Sequence, residues 1–236
     1  MRLNIRETGE GDRVAVLIHG FNCDSGDWWE LTPVLIKAGY RVQAVDLRGH
    51  GHSPRAESYR LADFASDLVD TIMPASELIV GHSLGARVAG LAVAALAPSR
   101  VVYLDPPWSP IDRIAREGLF PDLDSIARTT DDDLASMLHA NFPRWSDRAI
   151  AVDVASWRLW DPRTAEWIDE ATTSSVPEAP AAPSLVVVAD PSPVCGALEQ
   201  LIARERGFEV RTAEGLSHSL FRDDFSSFLG TLDGWL

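Results

Sequence analysis

A single five-residue turn constrains the fold of this chain more than any other feature. Residues 81–85 read GHSLG, and they directly follow a short apolar run at 78–80 and open a helical stretch of small and apolar residues at 84–97. A strand that turns into a helix within so few residues needs small residues two positions before and two positions after the central serine. The strain of such a turn holds the Ser83 hydroxyl above the carboxyl-terminal edge of a sheet, and the Leu84 amide then lies at a helix amino terminus. The turn therefore predicts Ser83 as a nucleophile and the Leu84 amide as an oxyanion donor.

Apolar runs that predict strands alternate along the chain with longer helical patterns. The expected strands are 3–6, 14–18, 42–45, 78–80, 101–104, 185–189 and 208–211, and the expected helices are 28–38, 61–72, 84–97, 194–206 and 222–236. The middle strands are continuous apolar runs, which is typical of parallel strands that helices cover on both faces. The order predicts an α/β fold with a mostly parallel central sheet flanked by helices.

The alternation stops between Pro106 and Pro183. This stretch has helical patterns at 131–139 and 157–167, lacks a convincing strand pattern, and ends in a segment rich in proline and alanine. It contains five of the eight tryptophans, namely Trp108, Trp145, Trp157, Trp160 and Trp167. We predict that residues 107–182 form a helical cap, inserted into a core made of residues 1–106 and 183–236.

Charge and motif content narrow the class of partner. The formal net charge is -14, so nucleic acid and anionic membrane surfaces would repel the chain. Cys23 and Cys195 have no metal or redox spacing, and dinucleotide, P-loop and H-E-x-x-H patterns are absent from the sequence, so we expect no cofactor and no metal. The first residues lack the apolar core of a signal peptide, and no apolar run reaches membrane-spanning length, so we expect a cytoplasmic protein. The sequence leaves the oligomeric state open.

A serine nucleophile needs a base, and the chain has six histidines from which to supply it. Five of them flank motif glycines, share a glycine loop or lie in the predicted cap: His19, His82, His50, His52 and His139. His218 follows the last predicted strand and precedes the last predicted helix. We therefore predict His218 as the general base.

These segments resemble the α/β-hydrolase superfamily over nearly the whole chain. Residues 19–21, HGF, are similar to its oxyanion loop, which implies the amide of Phe21 as a second oxyanion donor. Residues 46–53, DLRGHGHS, are similar to a segment that is mainly structural in the family, so no catalytic role is assigned to them. Residues 216–219, LSHS, occupy the place where the family carries its catalytic histidine.

The third member of a catalytic triad has two candidates. The chain order Ser…Asp/Glu…His admits Asp105, at the end of the 101–104 run, and Asp190, after the 185–189 run. The family usually places the acid a few residues past the second of these strands, which is nearer Ser192 here. Asp105 resembles an alternative position that some haloalkane dehalogenases and lactonases of the superfamily use, although an Asp-Pro pair also caps turns. Both stay candidates, and Asp105 is preferred.

The tryptophans of the predicted cap favour a dry pocket for an apolar or aromatic substrate. Trp108 and Trp157 are predicted substrate contacts, together with His82 and Gly20 beside the nucleophile. The expected activity is hydrolysis of a small to medium apolar carboxylic ester or lactone through an acyl-enzyme. The alternatives are a C–C bond hydrolase or perhydrolase with the same triad, and a ligand-binding member of the fold without turnover. Dehalogenation is disfavoured, because it needs a carboxylate where Ser83 stands.

Overall fold

A computed structural model describes residues 1–111 and 128–236. Its strands form one sheet of seven in the order β1-β3-β2-β4-β5-β6-β7, in which β1 is antiparallel to β3 and the other neighbours are parallel. The strands are Ile5–Thr8 (β1), Arg13–Ile18 (β2), Tyr40–Val45 (β3), Leu78–His82 (β4), Arg100–Leu104 (β5), Ser184–Ala189 (β6) and Glu209–Ala213 (β7). This confirms the predicted fold class, a mostly parallel sheet flanked by helices.

The helices of the described residues lie between and after these strands. They are Leu31–Lys37 (α1), Leu61–Thr71 (α2), Leu84–Leu96 (α3), Asp131–Asn141 (α4), Asp147–Leu159 (α5), Ala197–Glu205 (α6), Leu220–Asp223 (α7) and Phe225–Thr231 (α8), with 3-10 helices at Ser25–Trp28 and Pro162–Glu170. No helix in this part of the chain has the length and apolar character needed to cross a bilayer.

The central strands are buried on both faces, as their continuous apolar runs require. Successive residues of β2 enter opposite cores: Val16 packs in one hydrophobic cluster with α2 and α3, and Leu17 packs in another with α1 and the carboxyl-terminal helices. The sheet therefore holds the carboxyl ends of its parallel strands at one rigid edge, and the residues that follow β2, β4 and β5 meet there.

Several predicted elements differ from the observed ones at their ends, and local contacts explain two of these differences. The first strand is expected at 3–6 but begins at Ile5, because the Leu3 amide donates to Thr71 Oγ1 of α2 (3.0 Å) instead of extending the sheet. The expected closing helix at 222–236 is two short helices, because Asp224 is extended and its carboxylate caps α8 by accepting from the Ser227 amide (3.0 Å).

Helices α4 and α5 and the second 3-10 helix lie between β5 and β6, in the segment predicted as a cap. After that prediction, residues 107–182 are called the inserted segment. The prediction of one helix at 157–167 is wrong, because α5 ends at Leu159 and the 3-10 helix begins at Pro162. A residue before proline avoids the helical region, and Asp161 is accordingly extended (φ -95°, ψ 113°). Residues 112–127 of the predicted cap lie outside the described residues, and the boundaries at 107 and 182 stay a prediction.

Candidate active site

The turn between β4 and α3 is strained at Ser83, which has φ 49° and ψ -117°. Gly85 allows this turn to press against the end of β2, because a Cβ at Gly85 would lie 2.2 Å from the Ile18 carbonyl oxygen. The Ser83 amide donates to the Leu104 carbonyl (2.9 Å), so the turn is tied to the end of β5. The Ser83 side chain is thereby held at the carboxyl-terminal edge of the sheet.

Three side chains that are far apart in sequence form one hydrogen-bonded line at this edge. The Ser83 hydroxyl donates to His218 Nε2 (2.9 Å), and His218 Nδ1 donates to Asp105 Oδ2 (2.6 Å). Asp105 is fully buried, and its other oxygen accepts the Ala189 amide of β6 (3.0 Å). A carboxylate on Nδ1–H leaves Nε2 as the lone-pair nitrogen that faces the serine hydroxyl. The line is therefore arranged to move a proton from Ser83 to His218.

Asp190 does not join this line. It lies just beyond β6 with an exposed side chain, and its amide donates to the Leu216 carbonyl (3.0 Å). It lines a different cleft from Ser83, together with Arg144 and Ser217. Of the two acid candidates, the structure places Asp105 on His218 and Asp190 in solvent.

Leu84 and Phe21, which carry the predicted oxyanion amides, both lie close to Ser83. Leu84 is the first residue of α3, and the first amides of a helix have no intrahelical acceptor. The turn that carries Phe21 lies against Ser83, because a Cβ built on Gly20 would come within 3.3 Å of the Ser83 Cβ. Gly20 is thus a position of close packing between the two turns.

His82 contacts both the backbone and the ring of His218. Its Nε2 donates to the His218 carbonyl (2.9 Å), and the two ring centroids lie 4.9 Å apart. Burial, together with the neighbouring His218 ring, holds the pKa of His82 well below its usual range. His82 is therefore a neutral donor that also lines the cavity above Ser83.

That cavity has a volume of about 220 Å³ and contains Ser83 and His218 in its wall. Most of its lining is apolar or aromatic, including Phe21, Leu138, Phe142, Trp145, Trp157 and Trp167. One corner is polar and is formed by Cys23, Asp153 and Arg222. Sequence reasoning missed Trp145, Asp153 and Arg222. The density of tryptophans between Pro106 and Pro183 indicated Trp145, but no sequence pattern indicated Asp153 or Arg222.

The structure corrects the prediction that Trp108 contacts substrate. Its side chain is 1% exposed and packs in the core against Tyr103 and Phe208, with ring centroids 5.6 Å and 5.7 Å away. These aromatic residues bury its ring in the core, and Trp108 is not among the residues that line the cavity. Trp157, by contrast, lines the cavity and donates from Nε1 to Asp153 Oδ2 (2.9 Å).

The segment at 46–53 has structural contacts. Asp46 accepts the amides of Ser25 (2.7 Å) and His52 (2.9 Å). His50 is fully buried, its Nδ1 donates to the Arg48 carbonyl (2.8 Å), and burial lowers its pKa to about 3. Among the described residues no group of three or more His, Cys, Asp or Glu side chains could hold a metal ion.

Comparison with known proteins adds a family to this geometry. A model of the alpha/beta hydrolase family matches residues 15–226. A pimeloyl-(acyl-carrier protein) methyl ester esterase from Methylococcus capsulatus is 40% identical over 104 residues, which are 44% of this chain and 39% of that relative. An epoxide hydrolase B from Mycobacterium tuberculosis is 38% identical over 82 residues, 32% of this chain and 23% of that relative. This chain therefore matches well under half the length of these curated relatives.

A solved structure is similar over nearly the whole chain. That of an N-formylmaleamic acid deformylase from Pseudomonas putida has a TM-score of 0.76 at 22% identity, and the match covers 98% of this chain and 97% of that one. At this level of identity the likeness is one of fold.

Proposed function

This chain belongs to the alpha/beta hydrolase family, and we propose that it is a serine hydrolase for small to medium apolar carboxylic esters or lactones. The observation that carries the proposal is the line from Ser83 through His218 to Asp105, which opens on an apolar cavity. Fold alone would not support an activity, since the same fold hosts several chemistries.

In the proposed reaction, Ser83 Oγ attacks the ester carbonyl while His218 Nε2 takes its proton. The amides of Phe21 and Leu84 stabilise the oxyanion of the tetrahedral intermediate. His218 then protonates the leaving alcohol, and the acyl group stays on Ser83. A water molecule then gives a proton to His218 and attacks the acyl carbonyl, and His218 returns a proton to Ser83 Oγ as the carboxylic acid product leaves.

Asp105 is proposed to hold His218 in the reactive tautomer. The buried carboxylate accepts Nδ1–H and stabilises the imidazolium that forms when Nε2 takes the serine proton. Its second oxygen is occupied by the Ala189 amide, so the carboxylate has one orientation. A fixed acceptor of this kind costs no reorganisation during the reaction.

The cavity supports the proposed size and polarity of the substrate. A volume of about 220 Å³ is smaller than the roughly 300–1,000 Å³ that is usual for drug-sized ligands, which favours a short acyl or alcohol group. The aromatic lining favours an apolar group, because it offers large surfaces that gain by the loss of water.

Labelling with a fluorophosphonate probe and a panel of substrates test the proposal. The wild-type protein should be labelled and should hydrolyse short p-nitrophenyl esters or small lactones. Ser83→Ala should lose labelling and turnover but melt near the wild-type temperature, whereas Ser219→Ala, a neighbouring cavity serine, should keep the label.

Two outcomes would contradict parts of this proposal. Undiminished labelling of Ser83→Ala would overturn the nucleophile. A labelled wild-type protein that cleaves C–C bonds or performs perhydrolysis, and leaves esters and lactones intact, would keep the triad and overturn the substrate class.

A further inference from the structure

A buried arginine lies in the polar corner of the cavity, four residues after His218. Arg222 has a side chain that is 5% exposed, and it is paired with Asp27 and Asp153, which are 1% and 3% exposed. Its Nε donates to Asp27 Oδ1 (2.7 Å), and its Nη1 donates to Asp153 Oδ1. The proposed reaction uses none of these three groups.

The three charges come from three different parts of the fold. Asp27 belongs to the 3-10 helix that follows the Phe21 turn, Asp153 belongs to α5 of the inserted segment, and Arg222 belongs to α7 after His218. An ion pair buried to this degree loses much of its attraction to desolvation, so stability alone is a weak reason for it. What a forked guanidinium does well is fix the relative position of two carboxylates.

Further contacts join the same elements. Asp153 Oδ2 accepts the Trp157 indole (2.9 Å), and the Trp145 ring covers the Arg222 guanidinium at 4.6 Å. The Trp145 indole donates to Asp223 Oδ1 (3.2 Å), and Asp223 Oδ2 accepts the Ser217 amide (2.5 Å). The inserted segment is therefore connected to the residues on both sides of His218.

We propose that Arg222 is a positioning residue, which places His218 against Ser83 by tying its loop to the inserted segment and to the Phe21 turn. This inference rests on the proposed function. The position of α5 in the cavity wall and the alignment of His218 then depend on each other. Asp153 of α5 and Asp27 hold Arg222, and Arg222 holds the loop of His218. Loss of the tie lets His218 move from Ser83 Oγ without removing any group that reacts.

The test removes the three charges together, because removal of Arg222 alone would leave two buried carboxylates without their partner. In the triple variant Asp27→Leu/Asp153→Asn/Arg222→Met, the amide at 153 keeps an acceptor for Trp157. We expect kcat for p-nitrophenyl acetate and the rate of fluorophosphonate labelling to fall by about 10- to 100-fold, the range expected for a small misplacement of a catalytic group. KM should change much less than kcat.

The matched control is another buried pair, Arg48 with Asp67, whose Nε–Oδ2 distance is 2.7 Å. The double variant Arg48→Met/Asp67→Asn should lower the melting temperature and leave the labelling rate of the folded protein unchanged. If the triple variant does the same, Arg222 serves stability only and the proposal is overturned.

Asp153→Asn alone provides a milder variant, since it keeps the shape of the side chain and removes one charge. If the triple variant does not fold, a lower labelling rate in Asp153→Asn supports the proposal and an unchanged rate overturns it. A wild-type protein that is neither labelled nor active would instead overturn the proposed function, and the inference would fall with it.

Discussion

The edge of the sheet and the inserted segment contribute to the candidate site in different ways. The sheet contributes through its backbone: Ser83 and Asp105 come at strand ends, and their amides donate to the carbonyls of Leu104 and Val187 at 2.9 Å and 2.7 Å. The inserted segment contributes side chains such as Trp145 and Trp157. Under the proposed function the two regions would have different tasks: the backbone of the sheet would fix the reacting groups, and side chains of the inserted segment would determine which substrates bind.

Removal of the proposed triad acid should have the largest effect on the part of the site that the sheet carries. Asp105→Asn should lower kcat by about 10⁴-fold, because an amide does not hold His218 in the reactive tautomer. Asp190→Asn is the matched control and should leave kcat near the wild-type value, since its side chain is exposed. Both variants should be assayed for kcat and melting temperature, and a greater loss of kcat in Asp190→Asn would reverse our choice of acid.

The two tryptophans predicted as substrate contacts should separate packing from selection. Trp108→Ala removes a ring from the core and should cost about 3–5 kcal/mol of unfolding free energy, with the order of preferred substrates unchanged. Trp157→Ala enlarges the cavity and should change relative kcat/KM between short and longer acyl chains by about 10-fold or more. Urea unfolding and an acyl-length series measure the two effects. A changed preference in Trp108→Ala with little loss of stability would return that residue to the substrate site.

Low pH should reduce the unfolding free energy of the protein through His50, which is buried and neutral. Its pKa is about 3 in the folded protein against about 6.5 when exposed, so the unfolded chain binds the extra proton between these values. The stabilisation from this group is present above pH ~6.5 and is lost as the pH falls, by about 2 kcal/mol at pH ~5. His50→Asn should therefore flatten the dependence of unfolding free energy on pH, measured by urea melts, and exposed His52→Asn should not. An equal slope in all three proteins would contradict the burial argument.

Much of the sheet and of the residues at its carboxyl-terminal edge could be predicted from the sequence, because the signals are local. Apolar runs indicate which residues of β4, β5 and β6 are buried, and the glycines at 81 and 85 indicate where the chain turns. The position of His218 followed from its place after the last strand. These features need no knowledge of what packs against them.

The inserted segment could be predicted only in outline, because its contacts are set by packing between distant elements. Trp108 and Trp157 look alike in sequence, and only the position of Tyr103 and Phe208 decides that one ring enters the core. Arg222 reads as an ordinary charge near the carboxyl terminus until Asp27 and Asp153 are brought beside it from 195 and 69 residues away.

The hydrogen bonds from the Ser83 and Asp105 amides extend the ladder of the sheet by one rung beyond β4 and β5. The amides of two members of the proposed triad should therefore exchange as slowly as those of the strands, whereas the third member has a half-buried side chain on a loop. We therefore expect thermal motion of the site to be greatest at His218. Heating short of unfolding should misalign the base while the serine and the acid keep their spacing, so activity should decline before the sheet loses its protection from exchange.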